Sequence, residues 1–325
     1  MSQDTALALN DATEAPPQMR PHKRDRKMLG EVTLLTGPAL IVFVGFVILP
    51  IIYAAYVGLF KWQGYGPVTD FVALKNYTTI FQDPAFWKAV AHNFEIAVLS
   101  LVIQGPLALV MALLLNRKMK GRGLLRVLLF VPYVISEAII GVGMRLILGS
   151  SGAKSGAINN LLSVIGLGSL QTYWMSKGVA IFTLVLICTW KYIGFAVILF
   201  LAGMQAIPDE LSEAAAVDGA SYWRTQLHIT IPLLGPTLRI WAFLSIIGSL
   251  QLFDLVYVIW GKSAWTQGVE TMASYMVRTG RDTYQFGYGN AVAAVMFVIT
   301  LIIALLYQRF ILRRDTAGAL TGGNR

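Results

Sequence analysis

Hydrophobic residues are grouped along this chain into six long stretches that are separated by shorter polar segments. Each stretch reaches about 20 mostly apolar residues, the length that an α-helix needs to cross a membrane. The first stretch is long and contains Pro38 and Pro50, so we expect this span to tilt or kink. The predicted spans are Val32–Phe60, Ala89–Leu115, Val127–Leu148, Val179–Gly203, Leu238–Trp260 and Ala291–Ile311.

A polar and amphipathic segment, Gln205–Pro236, lies between the fourth and fifth spans, and we call it the lever segment. Its first half, Asp209 to Arg224, has the signs of a short helix: a proline before the start, acidic residues in the first turn and an alanine-rich centre. Gly219 interrupts this helix. The small residues would let a partner protein approach closely, and motion of that partner would then reach both spans.

The composition supports a membrane protein over a soluble one. The chain has 325 residues, a length that alone would suggest roughly two soluble domains. However, 56% of the residues are hydrophobic and only 13% are charged. We therefore predict one six-span domain over residues 31–312, between a disordered basic tail at residues 1–30 and a short tail at residues 313–325.

The distribution of Lys and Arg predicts the orientation of the spans. The formal net charge is +9, and sixteen basic residues near the span ends fall on one side against eight on the other. Cytoplasmic loops of membrane proteins carry the excess of Lys and Arg. Both termini and the lever segment are therefore predicted to be cytoplasmic, and no soluble domain offers a basic face for nucleic acid.

The sequence contains no strong motif for nucleotide binding, metal binding or a disulfide. A phosphate-binding loop needs a Gly that is separated by four residues from Gly-Lys-Ser, but Val256 occupies that place ahead of Gly261–Ser263. The three histidines are far apart, so the sequence predicts no zinc site. The single Cys188 lies in the fourth span, which excludes a disulfide within the chain.

The lever segment also carries a spaced motif. It reads Glu213-Ala214-Ala215, three residues, Gly219, nine residues, Ile229, one residue, and then Ile231-Pro232. This motif closely resembles the EAA loop of ABC importer permeases, in which the last pair is usually Leu-Pro. The spacing is intact, and Ile231 is the only departure.

Further stretches resemble the carbohydrate-importing branch of these permeases. Phe71–Tyr77 is similar to a Phe-x-Gly-Leu-x-Asn-Tyr pattern of that branch, with Ala73 in place of Gly. The resemblance runs from Val32 to Leu312 and is closer to the F-type than to the G-type maltose-permease subunit. The other matching stretches are Gly121–Gly123 with Arg126, Pro132-Tyr133, Phe253–Val258 and Phe286–Ala291.

The resemblance implies an all-α membrane protein, the type I ABC importer permease fold, with six transmembrane helices and a cytoplasmic coupling helix. It implies a non-enzymatic subunit of the bacterial inner membrane that pairs with a second, homologous permease, two ATP-binding subunits and an external solute-binding protein. ATP and Mg would bind to the ATP-binding subunits, and this chain would hold no cofactor of its own. The residues implied to couple to the ATPase are Glu213, Ala214, Ala215, Asp218, Gly219, Ala220, Arg224, Ile229 and Pro232.

Polar residues inside the predicted spans are candidates for a solute pathway, because charges in a span usually face a protein interior or a cavity. Gln251 and Asp254 are three residues apart, so we expect them to share a helix face, with Tyr257 one turn further. Glu137 and Lys191 allow two interpretations: solute contact or a neutralised interhelical pair. The candidate pathway residues are Glu137, Lys191, Gln251, Asp254, Tyr257, Tyr133 and Trp190.

Two other functions compete with an importer subunit for a sugar or sugar-like solute. A stand-alone secondary transporter or channel would favour an internal repeat with paired broken helices, which the sequence does not show. A membrane scaffold would not need charged residues within its spans. The residues do not identify the solute, which could be a sugar, a sugar alcohol or a sugar phosphate.

Overall fold

The computed structural model describes residues 24–117, 119–149, 154 and 156–312, with side chains from residue 31 onward. Residues 1–23 of the predicted N-terminal tail and the predicted tail at residues 313–325 lie outside the described residues. A helix already begins at Arg24, within the predicted tail. The described part of the chain divides into two compact units, one that ends at Tyr53 and one that begins at Ala54.

The first candidate span is helical from Glu31 to Val57, close to the predicted Val32–Phe60. It consists of α1 (Arg24–Phe43) and α2 (Leu49–Val57), with a π-helical turn at Val44–Ile48 between them. The turn lies just before Pro50, which has no N–H to donate back into the preceding turn. The expected irregularity of this span therefore appears at its second proline.

The second unit contains three further helices that are long and apolar enough to span a membrane: Pro84–Asn116, Ala180–Gln205 and Phe286–Leu312. They agree with the predicted second, fourth and sixth spans. In the part of the chain that the structure describes, the only β pairing is a single bridge between Phe60 and Phe71. The helices of this unit are α3 (Lys75–Gln82), α4 (Pro84–Leu99), α5 (Gly105–Asn116), α6 (Arg122–Val134), α7 (Glu137–Leu148), α8 (Ala157–Val164), α9 (Ala180–Gln205), α10 (Asp209–Val217), α11 (Tyr222–Thr225), α12 (Ile231–Leu233), α13 (Gly235–Leu250), α14 (Asp254–Trp260), α15 (Met272–Val277) and α16 (Phe286–Tyr307).

The predicted third span is not one straight helix. It divides into α6 and α7, which are bent by 96°. Ile135 and Ser136 both have extended backbone angles, and the Ser136 hydroxyl accepts a hydrogen bond from the N–H of Ile139 to begin α7. Ser136 and Glu137 interrupt the apolar run at this point, but two polar residues in a predicted span do not by themselves indicate a break.

The prediction that the fifth span is a single helix is also wrong. Its main part, α13, ends at Leu250, and a separate helix, α14, begins at Asp254. Asn93 is fully buried and holds this break, because its amide donates to the carbonyls of Ser249 (2.6 Å) and Leu250 (3.3 Å). Its carbonyl oxygen accepts from the N–H of Met272 at 2.8 Å. One buried side chain therefore replaces helical hydrogen bonds that the break removes.

Helix α9 forms the centre of the second unit, and more than half of its residues are buried. One apolar cluster packs it against α4, α7 and α14, and a second packs it against α5 and α13. Gly194 allows the closest approach, since a Cβ there would lie 2.0 Å from the carbonyl oxygen of Leu129 in α6. Gly194 therefore lets α6 pack directly against α9, the helix that also carries Lys191.

Candidate functional site

The motif in the lever segment forms a defined helix end. Helix α10 ends at Val217, and Gly219 has a left-handed backbone with φ of 79°. The N–H of Gly219 donates to the carbonyl of Ala216 (3.1 Å), and the N–H of Ala220 donates to that of Ala215 (2.9 Å). These two bonds constitute a Schellman motif, in which glycine is the favoured residue. The spacing from Ala215 to Gly219 thus follows from the geometry of the helix end.

The same helix end presents a largely exposed surface. Glu213, Ala214, Asp218 and Gly219 are exposed, whereas Ala215 is buried. The apolar side chain of Val217 is 88% exposed, which leaves it open to a partner. Of the other predicted coupling residues, Arg224 and Pro232 are exposed, and Ala220 and Ile229 are partly buried.

Tyr222 attaches the lever segment to the end of α5. Its hydroxyl donates to the backbone carbonyl of Leu113 at 2.8 Å, and the guanidinium of Arg117 lies 3.8 Å from the centre of its ring. The carbonyls in the last turn of a helix have no helical partner, so this bond satisfies one of them. Movement of the lever segment would therefore pull on α5 directly.

We expect Tyr222→Phe to weaken this attachment by about 1 kcal/mol, because it removes the hydroxyl and keeps the ring that stacks on Arg117. In the ATP-driven complex that the sequence resemblance implies, solute transported per ATP hydrolysed should fall a few-fold, with the ATPase rate in the absence of solute unchanged. Trp223→Phe, on the exposed neighbouring residue, serves as the control. Equal transport per ATP in the two variants would contradict a role for this hydrogen bond.

Lys191 and Glu137 do not form an ion pair in the structure. The ammonium of Lys191, which is 3% exposed, donates to the carbonyl oxygens of Ile135 (2.8 Å) and Tyr133 (3.4 Å). The carboxylate of Glu137 instead accepts a hydrogen bond from the hydroxyl of Tyr192. Of the two interpretations from the sequence, direct neutralisation is therefore wrong, and Lys191 supplies donors to the break between α6 and α7.

A cavity of about 300 Å³ lies between α4, the turn that precedes α5, α9 and α13, and we call it the central cavity. Its polar wall comes from the π-helical turn Ser100–Gln104 and from Ser245 and Ser249 on α13. Tyr133 and Tyr192 line it from the direction of α6 and α9, and Tyr133 stacks on Phe195 with ring centres 5.2 Å apart. Such a mixture of apolar rings and a few polar groups is typical of a small-molecule site.

The polar groups of the central cavity form a chain of hydrogen bonds. The Ser100 hydroxyl donates to the side-chain carbonyl of Gln104 at 2.8 Å, and the hydroxyls of Ser100 and Ser245 are 2.9 Å apart. Because Ser100 uses its one proton on Gln104, Ser245 is the donor in the second bond. Among the described residues, none accepts from the Gln104 amide nitrogen, so its N–H groups are available to a solute hydroxyl.

Most of the pathway residues predicted from the sequence lie elsewhere. Gln251 follows the end of α13 and Asp254 begins α14, so the expected shared helix face is wrong. Tyr257 is on α14 and stacks with Phe253 at 5.1 Å, and Trp190 is 45% exposed on α9. Tyr133 is the one predicted residue that lines the central cavity.

Sequence reasoning missed the serines and Gln104, because charge and aromatic character were used as the signal for a pathway. A usable signal exists: Ser100 with Gln104, and Ser245 with Ser249, are each four residues apart and share a helix face. Within the described ranges, no three His, Cys, Asp or Glu side chains are grouped as metal ligands.

Comparison with known proteins gives a consistent result for most of the chain. Residues 104–315 match the family model described as "Binding-protein-dependent transport system inner membrane component". The arabinooligosaccharides transport system permease protein AraP of Bacillus subtilis is 32% identical over 84% of this chain and 86% of that protein. The trehalose/maltose transport system permease protein MalF of Thermococcus litoralis is 32% identical over 85% of this chain and 92% of that protein.

The fold is similar to that of a solved transporter. The structure matches one chain in the crystal structure of a bacterial ABC transporter involved in the import of the acidic polysaccharide alginate. The TM-score is 0.72 at 27% identity, over 89% of this chain and 96% of that one. A second crystal structure, in complex with an alginate pentasaccharide-bound periplasmic protein, also has a TM-score of 0.72.

Proposed function

Because the chain belongs to the family of binding-protein-dependent transport system inner membrane components, we propose that it forms half of the solute pathway of an ATP-driven carbohydrate importer. A second, homologous permease would complete the pathway, and an external binding protein would deliver the solute. Two ATP-binding subunits would bind ATP and Mg. Both termini and the lever segment would face the cytoplasm of a bacterial cell, as the distribution of basic residues predicts.

This proposal rests on one observation: the polar wall of the central cavity is connected to the lever segment. The Ser100–Gln104 turn leads directly into α5, whose end is bonded to Tyr222 of the lever segment. Ser245 lies on α13, and the lever segment continues into α13 through a bend of 65°. The two helices that hold the polar wall are therefore the same two that the lever segment moves.

This arrangement suggests how ATP hydrolysis reaches the solute. Closing of the ATP-binding subunits would push the exposed end of α10, and the push would pass to α5 and α13. The hydrogen bond between Ser100 and Ser245 joins these two helices across the cavity wall. A movement of α5 relative to α13 by about 1 Å would break this hydrogen bond, and the two hydroxyls could then bond to solute hydroxyls instead. The cavity would thus open and close with the ATPase cycle.

The carbohydrate class is supported by relatives and by the chemistry of the cavity. Two relatives carry the names of transport systems for arabinooligosaccharides and for trehalose and maltose. Serine hydroxyls and an amide beside stacked aromatic rings match a solute with many hydroxyls and apolar C–H faces. A stand-alone transporter would leave the exposed end of α10 without a partner.

We expect Gln104→Leu to raise the KM for solute uptake about tenfold, because it removes the free amide donors of the central cavity and leaves a solute hydroxyl unpaired. Gln251→Leu is the matched control, since Gln251 is exposed and does not line this cavity. The KM of both variants is measured by uptake of labelled sugar into proteoliposomes that contain the whole complex. A larger effect at Gln251 than at Gln104 would place the pathway elsewhere.

A further inference from the structure

A second cavity, of about 940 Å³, lies far from the lever segment, and we call it the outer pocket. It is formed by the loop after Phe60, by α3, and by the chain from α15 to the start of α16. Asp83, at the start of α4, lines it, whereas Leu113 at the other end of the same long helix contacts Tyr222. Thirty residues of helix place these two ends about 45 Å apart. The outer pocket therefore lies at the end of the helix opposite to the lever segment.

The polar groups at the back wall of the outer pocket are hydrogen-bonded to one another. The Tyr275 hydroxyl donates to the carboxylate of Asp83, whose other oxygen accepts from the N–H of Ala85 at 2.7 Å. Burial, followed by this hydrogen bond, raises the pKa of Tyr275, so the phenol keeps its proton. Arg278 forms two bonds to Glu270, at 2.6 and 3.0 Å. The carboxylate and the guanidinium of this wall thus already have protein partners.

The rim of the outer pocket differs from the back wall, because its lysine side chains have no protein partner among the described residues. Lys61 and Lys75 line the pocket and are exposed, and no described residue pairs with either ammonium group. The lining contains three cations against the one carboxylate of Asp83. Two positive charges that lack partners at the mouth of a cavity favour an anionic ligand.

Aromatic rings stand beside these lysines. Tyr65 is 72% exposed and Tyr284 is 66% exposed, and both line the pocket. Tyr284 has a left-handed backbone with φ of 55°, which is rare for an aromatic residue and is often found at functional positions. The indole N–H of Trp62 fixes the loop by donating to the carbonyls of Tyr65 (3.2 Å) and Gly66 (3.1 Å). Exposed aromatic rings suit the C–H face of a sugar ring.

We propose that the outer pocket is an entry site that binds an acidic unit of a carbohydrate, such as a uronic acid, before the solute reaches the central cavity. The carboxylate of the sugar would pair with Lys61 and Lys75, while its ring would rest on Tyr65 or Tyr284. The volume of the pocket lies within the range of about 300–1,000 Å³ that is usual for small-ligand sites. This inference rests on the proposed function, since it specifies the class of carbohydrate.

The test is a binding measurement on the purified transporter complex in nanodiscs, without the solute-binding protein. Calorimetry would compare tri-galacturonate, an acidic trisaccharide, with maltotriose, a neutral one. We expect the acidic probe to bind at least about tenfold more tightly at low salt, and Lys61→Gln with Lys75→Gln to remove that preference. Lys177→Gln with Lys262→Gln is the matched control, because it removes the same charge outside the outer pocket.

Three outcomes would overturn the entry site: equal binding of the two probes, no loss in the Lys61 and Lys75 double variant, or an equal loss in the control. A second titration measures the affinity of the same variants for the solute-binding protein: a loss of that affinity with unchanged saccharide binding would also overturn the entry site, since the pocket would then be a protein contact. ATP-dependent uptake of sugar is measured separately on the same variants. Normal uptake without binding at the outer pocket rejects the entry site alone, whereas no uptake of any sugar by the wild type rejects the proposed function.

Discussion

Replacing Gly219 with alanine should reduce solute-stimulated ATP hydrolysis by the assembled complex at least tenfold. Gly219 has φ of 79°, and a residue with a Cβ costs about 1 kcal/mol or more in that conformation. The helix end then relaxes, and the two Schellman hydrogen bonds that fix Ala215 and Ala220 are lost. The exposed end of α10 then no longer has the shape that the proposed contact with the ATP-binding subunit requires. The measurement is ATPase activity with and without the solute-loaded binding protein.

Two further variants separate backbone conformation from steric access. Asparagine tolerates the left-handed conformation better than alanine but is bulkier, so Gly219→Asn should retain much more stimulation if the helix end is what matters. Gly166→Ala is the matched control, because Gly166 is exposed, has φ of 80° and lies outside the lever segment. If the close approach of a partner decides the effect, as the sequence suggested, Gly219→Asn will be at least as damaging as Gly219→Ala.

The order and approximate ends of the spans could be read from the sequence, because hydrophobic length is set directly by membrane thickness. The second, fourth and sixth spans agree with the helices Pro84–Asn116, Ala180–Gln205 and Phe286–Leu312. Gly219 was also identified correctly as the point where the helix of the lever segment stops. These features depend on local composition and backbone preference, which a single sequence contains.

The breaks at Ile135 and after Leu250 were not predicted, because the polar residues beside them, Glu137 and Gln251, were interpreted as candidate solute contacts within continuous spans. Both are stabilised by side chains from distant parts of the chain: Lys191 donates to carbonyls at the first, and Asn93 donates to carbonyls at the second. A buried polar residue in a span looks the same in the sequence whether it binds solute or satisfies a backbone group. Only the fold distinguishes these two roles.

The central cavity was missed for a related reason. Its polar wall consists of uncharged residues, and serine is common at helix contacts within membranes, where it needs no solute to explain it. The approach of the Ser100–Gln104 turn to Ser245 brings together positions more than 140 residues apart. Helical spacing predicts each pair separately and gives no information on which helices face each other.

Lys191→Met should destabilise the complex more than any other substitution of a predicted pathway residue. The ammonium is the donor to the carbonyls of Ile135 and Tyr133 at the break between α6 and α7. Each buried carbonyl left without a donor costs about 1–3 kcal/mol, so we expect the apparent Tm of the detergent-solubilised complex to fall by several degrees. Uptake should fall with it, because the cavity residue Tyr133 lies at the end of α6.

Two controls decide between a structural role and a solute contact for Lys191. Lys191→Gln keeps N–H donors without the positive charge, so it should recover part of the lost Tm if hydrogen bonds to the break are what matter. Lys177→Met removes a lysine outside the break and should leave the Tm unchanged. An unchanged Tm in Lys191→Met, together with a higher KM for solute, would instead identify Lys191 as a pathway residue. The structure favours the first result, because both hydrogen bonds of this ammonium go to the backbone of α6 and the break.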